Sequence, residues 1–157
     1  MTMREGSSGG NVTYLQYSLF ILCFDPNGID GYFGPGTTKA VKLYQTSRSF
    51  TVDGIVGPQT WSNIQVEIKD IQQLLKNKGY LSTVDGFAGP GTLSAIKEFQ
   101  TNNGLIADGE VGSSTMAKLK DPNTPPKPPK PAPEAYVVTM SQLQQLGISQ
   151  LMRYLPI

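Results

Sequence analysis

Four aspartates are the residues of this chain whose type and spacing come nearest to chemistry. Asp30, Asp53, Asp85 and Asp108 each precede a glycine, and such carboxylates could act as acid and base in glycoside cleavage or hold calcium. Neither use fits their surroundings. A calcium loop of the EF-hand type needs alternating oxygen ligands closing on a Glu, whereas each of these segments offers one Asp. A glycosidase needs two carboxyls of differing pKa flanking a cleft, and an Asp before Gly is already explained by hydrogen bonds within its own turn. The chain has no His and a single Cys, which removes the Ser-His-Asp triad, the Cys-His dyad, any His-bearing zinc site and an internal disulfide. Cys23 lies in the apolar run Leu19, Phe20, Ile21, Leu22, Cys23, Phe24 and is expected to pack in the core. No catalytic residue, metal ligand or cofactor is therefore expected.

The four aspartates belong to a repeat. Asp30-Gly31-Tyr32-Phe33-Gly34-Pro35-Gly36-Thr37 returns 55 residues later as Asp85-Gly86-Phe87-Ala88-Gly89-Pro90-Gly91-Thr92. At the same offset Gln45 maps to Gln100, and Asp53-Gly54-Ile55-Val56-Gly57-Pro58-Gln59-Thr60 maps to Asp108-Gly109-Glu110-Val111-Gly112-Ser113-Ser114-Thr115. Upstream the offset becomes 56, pairing Leu15-Gln16 with Ile71-Gln72, so one extra residue lies in the loop 25–29. Within each unit the two Asp-Gly turns are 23 residues apart. Asp-Gly is a strong turn dipeptide, and Pro at 35, 58 or 90 suits the first position of a helix, so these motifs should start helices.

Behind the turns, Ala40, Val41 and Tyr44 correspond to Ala95, Ile96 and Phe99, an apolar stripe on a helix. Trp61 and Ile64 correspond to Met116 and Leu119 in a shorter helix. Val12, Leu15, Leu19 and Leu22 mark a leading helix of the first unit, and Ile68, Ile71, Leu74 and Leu75 that of the second. The expected fold is all-α: two tandem three-helix units, 1–65 and 66–121, abutting near Gln65 without a flexible linker. Units this small bury only about 60% of their unfolded surface, so each should lean on its neighbour. Residues 122–133 hold 7 Pro in 12 positions and read as a semi-rigid spacer of about 37 Å at about 3.1 Å per residue. Residues 134–157 offer Thr139 or Ser141 as a helix cap, then Leu143, Leu146, Leu151 and Leu155 at helical spacing. They read as a short helical segment opening a further module.

A formal net charge of +1 lacks the footprint of a nucleic-acid binder. The longest apolar run, Leu19 to Phe24, is far too short to span a bilayer, so no membrane contact is expected. The first ten residues carry Glu5 and a Gly/Ser run where a signal peptide would be apolar.

The order of a leading helix with Leu-Gln, then Asp-Gly-x-Phe-Gly, Ala-Val-x-x-Tyr-Gln and Asp-Gly-Ile-Val-Gly-x-x-Thr-Trp resembles the peptidoglycan-binding domain family, in two copies over about residues 4–120. Arg4 to Val12 is similar to that family's lead-in. The resemblance implies three-helix wall-targeting modules, commonly fused to lytic enzymes such as phage endolysins, autolysins and spore-cortex hydrolases. It also implies partners in the glycan strands and peptide stems of peptidoglycan. Val137 to Gly147 looks somewhat like the start of a chitinase-like lysozyme domain. Two departures stand out: Ala88 where Phe33 supplies an aromatic, and Ser113 where the other turns have Pro. If the chain serves a phage endolysin, it would stay cytoplasmic until release and then act at the wall.

Peptidoglycan presents sugar rings with apolar faces, acetamido groups and stem carboxylates. Tyr32 and Phe87, at the position facing away from the buried fourth residue of the turn, are the expected contacts, with a merely covering role as the rival reading. Gln45 and Gln100 could hold an acetamido group or satisfy the next turn, and Arg48 could pair with a stem carboxylate or stay solvated. Two such units would reinforce each other through effective concentration. The functional expectation is a non-catalytic wall-binding module. A scaffold working through the C-terminal helix and a weak glycosidase are the alternatives.

Overall fold

The computed structural model describes residues 1–132. They form five helices: α1 (Gly10–Ile21), α2 (Pro35–Ser47), α3 (Pro58–Asn77), α4 (Pro90–Asn102) and α5 (Ser113–Lys120). Among the described residues extended backbone pairs only as isolated bridges, Met3 with Val56 and Ser8 with Tyr32. The expected capping, helix and module in 134–157 lie outside the described residues.

The Asp-Gly motifs start helices as their chemistry dictates. Four helices follow an Asp-Gly turn and begin one residue after an extended Gly, with Pro35, Pro58 and Pro90 at the first turn of α2, α3 and α4. Proline has no N–H to leave unpaired there, and its fixed φ suits the helix. Helix ends are equally uniform. After α1, Phe24 N–H donates to Leu19 O at 2.8 Å and Cys23 N–H to Phe20 O at 3.0 Å, the two bonds of a Schellman motif. The same pair closes α2 through Phe50 and Ser49, α3 through Tyr80 and Gly79, and α4 through Leu105 and Gly104. The pivot is left-handed in all four, at φ 70° for Cys23, 57° for Ser49, 81° for Gly79 and 69° for Gly104.

This corrects the reading of Cys23 as core. It is the exposed pivot of the α1 cap, where the apolar run turns out of the helix. Phe24, one residue on, folds back edge-on to Tyr44 with ring centroids 5.5 Å apart.

Six helices were expected in the two repeats and five are found among the described residues, because the last helix of the first repeat and the leading helix of the second are one. Nothing between Gln59 and Lys78 is Gly or Pro, and Trp61, Ile64, Ile68, Ile71 and Leu75 form one unbroken buried stripe. Extending a helix adds a hydrogen bond per residue fixed, whereas starting another requires a costly nucleus. The two repeats thus share α3 as a rigid axis. They also touch directly: Val111 N–H donates to Ile21 O at 2.7 Å. In the first repeat the equivalent Val56 exchanges hydrogen bonds of 2.8 and 2.9 Å with Met3.

The extra residue in loop 25–29 has a definite place. A Cβ on Gly36 would lie 2.6 Å from the Pro26 carbonyl oxygen, whereas the matching Gly91 has nothing within 4 Å. The loop rests on the first turn of α2, and only glycine lets it.

The chain beyond α5 is anchored before the prolines run on. Lys78 Nζ donates to the carbonyls of Asp121 and Thr124, both at 2.9 Å, and Lys127 N–H donates to Lys78 O at 2.7 Å. Lys127 Nζ pairs with Glu98 at 2.9 Å and lies 5.8 Å from the Tyr80 ring centroid.

Candidate functional site

Each Asp-Gly turn is gripped by one buried glutamine from the preceding helix: Gln16 on α1, Gln45 on α2, Gln72 on α3 and Gln100 on α4. The Oε1 atoms accept the glycine N–H of Gly31, Gly54, Gly86 and Gly109 at 2.9, 3.0, 2.8 and 2.9 Å. The Nε2 groups donate to Oδ1 of Asp30, Asp53, Asp85 and Asp108 at 2.9, 2.9, 3.0 and 3.0 Å. They also reach the carbonyls of Tyr32, Ile55, Phe87 and Glu110 and the hydroxyls of Thr37, Thr60, Thr92 and Thr115. The same Asp Oδ1 accepts the N–H two residues on, closing an Asx turn. Asp, Gly and Thr of the repeat are therefore one hydrogen-bonded unit built four times.

Three residues before each glutamine, one helical turn away, a side chain lies across the turn glycine. It is Thr13, Lys42, Lys69 or Lys97, and a Cβ on the facing glycine would come within 2.9, 3.0, 3.0 or 3.1 Å of it. These glycines have positive φ as well, so both backbone shape and close approach require them.

These contacts set the electrostatics. The Gln16 amide, then the Tyr32 N–H, hold the Asp30 carboxyl below its ordinary range. For Asp53 the Ile55 N–H contributes most and Gln45 next, again downward. Hydrogen bonds to the charged form favour that form. Asp30 and Asp53 thus stay ionised as turn anchors, the opposite of what a general acid needs.

Three of the expected site residues have partners within the protein. Gln45 and Gln100 are buried with their amides committed to the turns, the second of the two roles open to them. Arg48 is neither lone nor merely solvated. Its Nε and Nη2 donate to the two oxygens of Glu67 at 2.7 and 2.6 Å, and its guanidinium lies 5.0 Å from the Tyr44 ring centroid. Glu67 raises the Arg48 pKa further, and a stem carboxylate would have to displace that bidentate partner. Cys23, though exposed, is poorly suited to nucleophilic work. Partial desolvation, then the charges of Glu110 and Asp108, push its thiol up.

Tyr32 and Phe87 are placed differently despite equal positions in the repeat. Tyr32 is 52% exposed. Phe87 is 37% exposed and packs beside Tyr14 of α1, ring centroids 5.2 Å apart, and beside Trp61 of α3 at 6.2 Å. Both turns adjoin the first half of α1, since Thr13 lies over Gly31 while Tyr14 reaches Gly89. Sequence reasoning missed Tyr14, which is 39% exposed. Its only signal was an aromatic outside the stripe of Val12, Leu15 and Leu19.

Comparison with known proteins adds a second line. The family model described as "Putative peptidoglycan binding domain" matches residues 8–64 and again 65–119. An N-acetylmuramoyl-L-alanine amidase, CwlL, of Bacillus licheniformis is 30% identical over 165 residues, covering 75% of this chain and 45% of that protein. An autolytic lysozyme of Clostridium acetobutylicum is 36% identical over 124 residues, covering 72% of this chain and 38% of that protein. A zinc D-Ala-D-Ala carboxypeptidase of Streptomyces albus G is 40% identical over 67 residues, covering 40% and 26% respectively. The chain spans about half the length of the curated relatives it matches first, 45% and 56%. No solved structure matches it.

Proposed function

The chain belongs to the peptidoglycan-binding domain family, present here as a tandem pair, and on that premise we propose that it is a non-catalytic module concentrating an attached lytic enzyme on the bacterial wall. The carrying observation is the occupation of the four aspartates. Each is bonded to a buried glutamine within its own turn, so the acidic residues that looked most like catalysts serve as scaffold. The relatives support the same division of labour, because the shared segment recurs in proteins named as an amidase, a lysozyme and a zinc carboxypeptidase. A segment common to three chemistries is better suited to delivery than to any one of them.

Tyr32 and Phe87 are the aromatic contacts of this module with the wall, carried on turns that five hydrogen bonds from one buried glutamine hold in place. The module acts at the wall; attached to a phage endolysin, it would remain in the cytoplasm until release. The test is to fuse residues 1–132 to a lytic domain that lacks its own wall-binding part. The fusion should cleave insoluble sacculi faster than the bare domain and soluble wall fragments no faster. Equal gains on both substrates, or none on sacculi, would overturn the proposal, as would reducing sugar released from walls by the chain alone.

A further inference from the structure

We infer that Tyr14 and Phe87 together form one composite subsite for an N-acetylated hexosamine of the glycan strand, built across the two repeats and absent from either alone. The inference rests on the wall-binding reading above and goes beyond it in assigning a place, a ligand class and a stoichiometry.

Phe87 occupies the turn position that Tyr32 occupies in the first repeat, but the tandem arrangement gives it a different setting. Its neighbour Tyr14 comes from the first repeat, on α1, and its support, Trp61, comes from the shared helix α3. Trp61 is only 9% exposed, so it backs Phe87 from within while Phe87 and Tyr14 each keep more than a third of their surface open. The two open rings are inclined at 57° with centroids 5.2 Å apart. In contact with each other at that distance, they meet at an angle, a shallow surface notch and not a flat shelf.

A notch of two inclined aromatic faces suits a ligand with two separate apolar surfaces. An N-acetylhexosamine has them: the C–H face of the pyranose ring and the methyl of the acetamido group. The ring faces carry partial negative charge and attract polarised C–H groups. The turn bearing Phe87 also has the Lys69 stem laid over Gly86. Tyr32 sits on a turn whose glycine faces Thr13 instead. The two repeats are therefore unequal, and the tandem carries one notch.

Trp61, the single Trp of the chain, reports on the notch from 6.2 Å away. Stem-free GlcNAc–MurNAc oligosaccharides titrated into the full chain should shift its emission saturably with one site per chain. Tyr14→Leu and Phe87→Leu keep apolar bulk at the seam and remove a ring, and each should weaken that affinity at least about tenfold with the thermal midpoint nearly held. De-N-acetylated oligosaccharides should bind as weakly as the variants do. The inference is overturned if the wild-type chain sediments with sacculi while the oligosaccharides leave Trp61 unchanged and both Leu variants sediment like wild type. A wild-type chain that fails to sediment at all overturns the wall-binding reading, and this inference with it.

Discussion

At the scale of single residues, Gln45 is the member of the predicted site with the largest structural role. Replacing it by Leu leaves the N–H groups of Asp53 and Gly54 without their acceptor, and stranding buried donors costs about 1–3 kcal/mol. Denaturant unfolding of Gln45→Leu should show a loss in that range, and Gln100→Leu, stripped of the matching contact to Gly109, a similar one. The carboxylates give a pH signature. Asp30 and Asp53 have folded pKa values lowered from the ordinary one, so their contribution is fully present above the unfolded value of about 4 and disappears as pH falls through the folded values. Melting temperature should therefore drop below about pH 4, and Asp30→Asn with Asp53→Asn should flatten that drop. The Asp-Gly turns were legible because their chemistry is local. Of their glutamine partners, Gln45 and Gln100 could be read as satisfying the next turn from only 8 residues away, whereas Gln16 and Gln72 could not, since they lie 14 and 13 residues before Asp30 and Asp85. Unequal loops hide one shared contact.

At the scale of elements, starts could be read and junctions could not. Gly-Pro after three of the four turns announces a helix, and Pro35, Pro58 and Pro90 begin those three. Fusion into α3 depends on the absence of a breaker between the repeats, and a break was expected there because the repeat unit ends there. Loop 25–29 makes Gly36 indispensable where Gly91 is not. Gly36→Ala should destabilise by about 1–3 kcal/mol through overpacking against backbone, and Gly91→Ala should be neutral or stabilise by up to about 1 kcal/mol. The caps offer a matched pair. Ser49 is left-handed without being glycine, so Ser49→Gly should stabilise by about 1 kcal/mol, and Gly104→Ser should cost about as much. Chemical denaturation of the four variants checks all of these values.

At the scale of the molecule, the contacts of Lys78 and Lys127 hold residues 121–127 against the second repeat. Trypsin does not cut before proline, which protects Lys127-Pro128 and Lys130-Pro131, so cleavage after Lys120 reports the anchor. Lys78→Met, which removes the bonds to Asp121 and Thr124, should make that cleavage several-fold faster at unchanged global stability. The same rigidity bears on function, because α3 and the bond from Val111 to Ile21 make the repeats one body that presents Tyr32 and the Phe87 notch in a fixed relation. The most direct test of a wall-binding role is to sediment the purified chain with peptidoglycan sacculi stripped of proteins and secondary polymers, over a range of wall concentration. Saturable co-sedimentation, lowered in the folded double variant Tyr32→Ala with Phe87→Ala, is the result predicted. Folded wild-type protein left entirely in the supernatant would contradict it.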